Sequence, residues 1–298
     1  MRTWLDKLHA GGIVVTDGAT GTELRRRGAP WGDLTWSGLA GDARRDLLVR
    51  IHCDYIAAGA EIITANTFGT ARFVLEAAGC GERFETINRA ALESAREARE
   101  NCGANVAIAA SMSCLPPRFD PRAYPPPRKE QGAYKELADL FAAEGADFIA
   151  LEMMQDARHA GWACAAARAS GLPFWLGVSC RLDANGALVA FDYPEVSLEE
   201  ILDALLPHEP SVVNVMHTPV EAVAAALRAV RAKWGGFIGA YPEIPEPAAS
   251  AGIGPRALAE HAREWIALGA RIVGGCCGTT PAHVRALAEA AAAAARLR

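Results

Sequence analysis

A closed parallel (β/α)8 barrel is the fold class this sequence predicts, on three observations. Eight runs of strand length recur along its 298 residues. Most of these runs are apolar nearly throughout, and each is followed by a segment whose apolar residues repeat at helical spacing.

The strand candidates are 13–18, 61–67, 105–113, 148–153, 174–180, 211–217, 237–242 and 271–277. Runs such as IVVTDG, VAIAASM, FIALEM, SVVNVM and RIVGGC lack the strict alternation of a half-exposed strand, so they read as strands covered on both faces, as in a parallel sheet. The helix candidates between and after them are 43–58, 83–101, 129–144, 158–169, 198–206, 220–234, 255–268 and 281–297. In the first, Leu47, Leu48, Ile51, Tyr55 and Ile56 fall on one face. Pro255 and Pro281 suit a first helical turn, where a missing N–H is not needed. Gly59, Gly145 and Gly269 stand where a left-handed cap would end a helix just before a strand.

Eight β-then-α units in about 300 residues match a TIM barrel in size and order. The alternative is a doubly wound open sheet, and the strand count favours closure. No linker or composition break divides the chain, so residues 1–298 read as one domain. The proline-rich stretch 116–128 follows the third strand and reads as an active-site loop.

A formal net charge of −5 argues against a nucleic-acid or anionic-membrane partner, since both reward a basic surface. No apolar run reaches the roughly 18–20 residues that span a bilayer. Asp6, Lys7 and His9 interrupt what would be the apolar core of a secretion signal. The expectation is a cytoplasmic protein, whose eight cysteines are then reduced. Cys53, Cys102 and Cys164 lie in helical segments and read as small buried hydrophobes, and Cys80 lies in a connection. Cys114, Cys180, Cys276 and Cys277 each lie at or just past a strand end.

Barrel chemistry belongs at the C-terminal strand ends. Polar and thiol groups concentrate there, from Asp17-Gly18 through Glu152-Met153 to Asn214-Val215-Met216-His217. The strongest single signal is Gly274-Gly275-Cys276-Cys277-Gly278-Thr279-Thr280-Pro281. Adjacent thiols reach one metal if the chain turns there, and flanking glycines permit the turn. Zinc prefers thiolates, and a catalytic zinc keeps a position open for substrate. The alternative is two buried cysteines at a tight turn.

Asp17-Gly18-Ala19-Thr20-Gly21-Thr22-Glu23-Leu24 resembles the opening motif of the homocysteine S-methyltransferase family. So do Trp36-Ser37, the segment from His52 and Tyr55 to Thr67-Phe68, Ala150-Leu151-Glu152, Tyr241-Pro242 and the final Cys-Cys motif, in the family's order from Ile13 to His283. The resemblance implies a TIM barrel with thiolate-bound zinc at its mouth. It implies Cys276 and Cys277 as zinc ligands, and Asp17 and Glu152 as carboxylates holding the amino group of homocysteine. Gly18 would let backbone N–H groups approach the amino-acid carboxylate.

One position departs from the family. Its third zinc cysteine follows an Asn on the sixth strand, where this chain has Val215 after Asn214. Cys180 is the first candidate to supply the missing thiolate, followed by Cys114 and by the imidazole of His217; loss of zinc is the remaining alternative. With the site intact, zinc would deprotonate the thiol, whose ordinary pKa is about 8.5, and the sulfur would attack a methyl carried by a cationic donor. A chain this short leaves no room for folate or cobalamin domains beside the barrel. That favours a small onium donor, S-methylmethionine or S-adenosylmethionine first and betaine second. Trp31, Trp36, Phe68 and Tyr124 are the aromatic candidates to face its methyl, with packing as the alternative for each. The competing readings are an amino-acid-binding protein that no longer methylates, action on another thiol, and a subunit served by a partner corrinoid protein.

Overall fold

The computed structural model describes residues 3–29, 32, 35, 37–244 and 253–296, with the backbone alone at 41 and 42. Eight strands form one sheet: β1 Val14–Val15, β2 Ile62–Ala65, β3 Ala107–Ser113, β4 Phe148–Met154, β5 Phe174–Val178, β6 Val212–Pro219, β7 Phe237–Glu243 and β8 Ala270–Val273. Every neighbouring pair is parallel, in the order β1-β8-β7-β6-β5-β4-β3-β2. The two ends of that order also meet. Glu61 N–H donates to Val15 O at 2.8 Å and Asp17 N–H to Ile62 O at 3.0 Å, which closes the barrel. Eight helices follow the strands in the predicted places, from Arg45–Ala57 to Pro281–Arg296. Among the described residues no helix is long and apolar enough to cross a membrane.

Side chains alternate across each strand, and the inward ones fill the barrel in layers. The lowest layer is apolar: Val14, Ile62, Phe148, Trp175, Val212 and Ile272 form one buried cluster with Leu8. The helix Trp4–His9, not foreseen in the sequence, stoppers this end, with the Trp4 ring 4.8 Å from Phe148 and 5.2 Å from Trp175. The next layer must be small. A Cβ on Gly239 would meet Asn214 Oδ1 at 2.2 Å, and one on Gly274 would meet Thr16 Cγ2 at 2.0 Å. These glycines are a packing requirement, since neighbouring backbone and side chains already occupy the space. Outward-facing residues such as Ile63, Leu151, Val213 and Val215 join the larger core beneath the helices. With the bottom stoppered and the middle filled, the barrel opens at its C-terminal end.

Three strand ends carry departures that shape the mouth. The fifth strand stops at Val178, and the chain turns into an antiparallel hairpin of Cys180–Leu182 and Leu188–Ala190. In β4 and β6 the register against the next strand shifts just before the end, between Leu151 and Met154 and between Met216 and Pro219. Such irregularities re-aim side chains. Met153 and His217 accordingly have φ of 58° and 43°, values uncommon outside glycine.

Candidate functional site

The open end holds a cavity of roughly 300 Å3, lined at its base by Asp17 and Glu152 and on one side by His217, Cys276 and Cys277. Asp17 follows β1, and its carboxylate is fastened to β2. Oδ2 accepts the Thr64 N–H at 2.6 Å, and Oδ1 accepts the Thr64 hydroxyl at 2.9 Å and the Thr16 hydroxyl at 3.1 Å. Burial pushes its pKa up to about 6, against the pull of those hydrogen bonds. Glu152 ends β4 and accepts the Ser111 hydroxyl from β3. Burial pushes it up to about 7; the Ser111 hydrogen bond lowers it and the charge of Asp17 raises it further. Neither carboxylate has a cationic partner among the described residues. Two acids sharing a cavity without a counter-charge suit a ligand that brings an ammonium group.

The thiols stand on the continuation of β8. The segment is clasped on both sides: Gly275 N–H donates to Asp17 O (3.0 Å), Cys276 N–H to Pro242 O (2.9 Å) and Ile244 N–H to Cys277 O (2.9 Å). The Thr279 hydroxyl caps Cys276 O at 2.6 Å, and Arg26 reaches over to Gly278 O at 2.8 Å. Gly278 has φ +79°, and a Cβ there would meet Ile244 O at 2.0 Å, so only glycine makes this turn. The Cys276 and Cys277 sulfurs and one ring nitrogen of His217 consequently lie within 4.8 Å of one another. Cys276 Sγ is 3.6 Å from His217 Nδ1, while His217 Nε2 faces Glu243 at 3.4 Å. The hydrogen bond from Cys276 and the nearby His217 ring hold the Cys277 thiol well below its ordinary pKa; the same Cys277 partner pushes Cys276 up.

This donor set fits zinc. Two sulfurs at about 2.3 Å and a nitrogen at about 2.0–2.1 Å in a tetrahedron put sulfur and nitrogen about 3.6 Å apart, the separation found between Cys276 and His217.

Cys180 corrects the first expectation for the third ligand. It is fully buried in the outer core, its backbone N–H donating to Thr218 Oγ1 at 3.1 Å and its sulfur lying 3.7 Å from the same oxygen. The early end of β5 carries it behind the wall of the mouth. Cys180→Ala is therefore expected to leave metal content unchanged and to cost about 1 kcal/mol of stability, read by metal analysis and urea unfolding. Cys114 is buried too, its sulfur 3.9 Å from Met153 O, and stands outside the thiol–imidazole group. Val215 faces the outer core.

Gly18 lines the cavity, where a Cβ would strike Thr279 Oγ1 at 2.7 Å and the Tyr55 ring at 2.9 Å. Phe68 lines it as well. Tyr124 does not: its ring stacks on His159 at 3.6 Å and its hydroxyl donates to Cys114 O at 2.8 Å, which braces the proline-rich loop. That loop contributes Phe119 to the cavity wall instead. Trp31 and Trp36 lie outside the described residues. Reasoning from sequence missed Thr64 and Glu243 as the partners of Asp17 and His217. It also missed Phe191, delivered by the hairpin to 4.8 Å from the His217 ring.

The sequence pattern described as homocysteine S-methyltransferase matches residues 14–291. Homocysteine S-methyltransferase 2 of Arabidopsis thaliana is 26% identical over 94% of this chain and 93% of its own length. Betaine–homocysteine S-methyltransferase 1 of Mus musculus is 25% identical over 96% of this chain and 74% of its own. Among solved structures, the metallated form of the homocysteine methyltransferase MmuM from Escherichia coli superposes with a TM-score of 0.77 at 22% identity, covering 95% of this chain and 97% of that one.

Proposed function

The chain belongs to the homocysteine S-methyltransferase family, a family of methyltransferases, and on that footing we propose that it transfers a methyl group from a small onium donor to the sulfur of homocysteine, with zinc held by Cys276 and Cys277. One observation carries this reading: the thiols and the uncompensated pair Asp17 and Glu152 share a single cavity. An amino acid whose ammonium meets the carboxylates extends its side chain from the cavity base toward the two cysteines. The helix Thr20–Arg26 begins beside it without a side-chain cap, so its first N–H groups are available to the substrate carboxylate. Gly18, lacking a Cβ, lets the chain ahead of this helix pack against Thr279 and Tyr55.

Bound at the cysteines, zinc supplies the deprotonation of a thiol whose ordinary pKa is about 8.5. The remaining work falls to positioning. Asp17 and Glu152 fix the amino end, and the wall of Met153, Met216 and Tyr241 confines the methylene chain. Phe68, Phe119 and Phe191 border the outer part of the cavity, where aromatic faces receive a cationic donor. The acidic lining, with Asp192 joining Asp17 and Glu152, favours a sulfonium donor whose ammonium leaves it with net positive charge, S-methylmethionine or S-adenosylmethionine, over betaine, whose one cationic group is balanced by its carboxylate. All eight cysteines are free, as suits a reducing compartment such as the cytoplasm.

The test is metal analysis followed by a donor screen for methionine formation from homocysteine. The expected result is about one zinc per chain and turnover with a sulfonium donor. A zinc-loaded protein inert toward all three donors would refute direct transfer, and a zinc-free protein that still binds homocysteine would mark a binding protein instead.

A further inference from the structure

The family resemblance implies three thiolates, and this chain places no third cysteine at the mouth among its described residues. It places an imidazole there, held from two sides. Glu243, at the end of β7, faces Nε2 at 3.4 Å, which favours the tautomer with the proton on Nε2 and leaves Nδ1, 3.6 Å from Cys276 Sγ, free to coordinate. The Phe191 ring, 4.8 Å away and inclined by 59°, restricts rotation about the side-chain bonds. The backbone is committed as well: His217 takes φ +43° where β6 loses register with β7, and that irregularity turns the ring into the mouth two residues beyond Val215. Residues held in such uncommon conformations cluster at functional sites. Glu243 stands behind the ring and outside the group of donor atoms that surrounds the thiols.

We infer that His217, through Nδ1, is the third protein ligand of the zinc, and that Glu243 is the positioning residue that fixes its tautomer and orientation. The inference rests on the zinc reading above and deepens it: the set is two thiolates and one imidazole backed by a carboxylate, the usual arrangement behind a metal-bound histidine. A site of this composition carries one negative charge fewer at the metal than a three-thiolate site, with the Glu243 charge behind the ring offsetting part of the difference.

The experiment uses the full chain loaded with zinc alone, read by zinc-edge X-ray absorption and by competition with a chromophoric chelator. The wild type is expected to show two sulfurs per zinc together with the outer-shell scattering of an imidazole. His217→Ala should lose that scattering and bind zinc far more weakly, and His217→Cys should restore binding with three sulfurs per zinc. Glu243→Ala should weaken zinc binding about 10–100-fold, with Glu243→Gln, which keeps an acceptor oxygen facing Nε2, recovering part of the loss. Three sulfurs in the wild type, or undiminished affinity in His217→Ala, would overturn the inference and leave the zinc reading standing. Failure of the zinc reading looks different: the wild type takes up no zinc, or keeps it when both Cys276 and Cys277 are serine.

Discussion

Cys277→Ser is expected to lose bound zinc and homocysteine methylation together, while folding as before. Serine keeps the shape of the side chain on a segment fixed by backbone hydrogen bonds to Asp17 O and Pro242 O and from Ile244 N–H, so the turn itself has no reason to change. What changes is the donor, because zinc in such sites is held by thiolate, imidazole or carboxylate and not by an un-ionised hydroxyl. Two losses then multiply. A thiol of pKa near 8.5 is only about 3% ionised at pH 7, a roughly thirtyfold deficit in nucleophile. Mispositioning of the sulfur by about 1 Å costs on the order of a further hundredfold, so the rate should fall about three-thousandfold. Metal content and initial rate, measured beside Cys180→Ala as a control that removes a thiol outside the mouth, decide the matter. A Cys277→Ser protein that turns over at the parental rate would remove the metal from the mechanism.

The barrel was legible because a parallel strand buried on both faces advertises itself as an apolar run, and each run's last residues marked the open end. Asp17, Glu152, Cys276 and Cys277 stand at or just past those ends and line the one cavity, while the roles proposed for them come from the family resemblance. What escaped had a local cause in each instance. The apolar run of strand five extends to Cys180, yet the Asn185-Gly186 pair in the stretch that follows is a hairpin signal. Its consequence, a buried Cys180 and an inward Phe191, needs the turn to be placed first. His217 stands behind Cys180 as a ligand candidate in the sequence because a lone histidine rarely coordinates a metal, and strict alternation from Asn214 does not predict the register slip that brings it to the mouth. Thr64 and Glu243 hold Asp17 and His217 from neighbouring strands, and contacts across a closed barrel depend on stagger, which no single strand's sequence states.

Neutralising Glu152 is expected to stabilise the substrate-free protein at neutral pH while weakening its hold on homocysteine. The folded protein keeps the Glu152 proton up to about pH 7 and the Asp17 proton up to about pH 6, whereas their ordinary values are 4.5 and 3.8. Between those limits the native state binds more protons than the unfolded chain, so stability falls as pH rises through the window from about 4 to 7. At about 1.4 kcal/mol per pKa unit, the ionised Glu152 costs the empty site roughly 3 kcal/mol above pH 7. Glu152→Gln removes that part of the slope and leaves the portion belonging to Asp17. The substrate reverses the sign: its ammonium needs both carboxylates ionised, so affinity should rise with pH across the same window, and Glu152→Gln should lose about 1.5–3 kcal/mol of binding, the range for a charge-assisted hydrogen bond. Urea unfolding of the wild type and Glu152→Gln from pH 5 to 8, with homocysteine calorimetry at each pH, reads both arms. Parallel stability profiles with equal affinities would mean that Glu152 meets neither a desolvation cost nor the substrate. Opposite shifts in the two quantities would mean that the strain of the empty acidic pocket is the source of its selectivity for an amino acid.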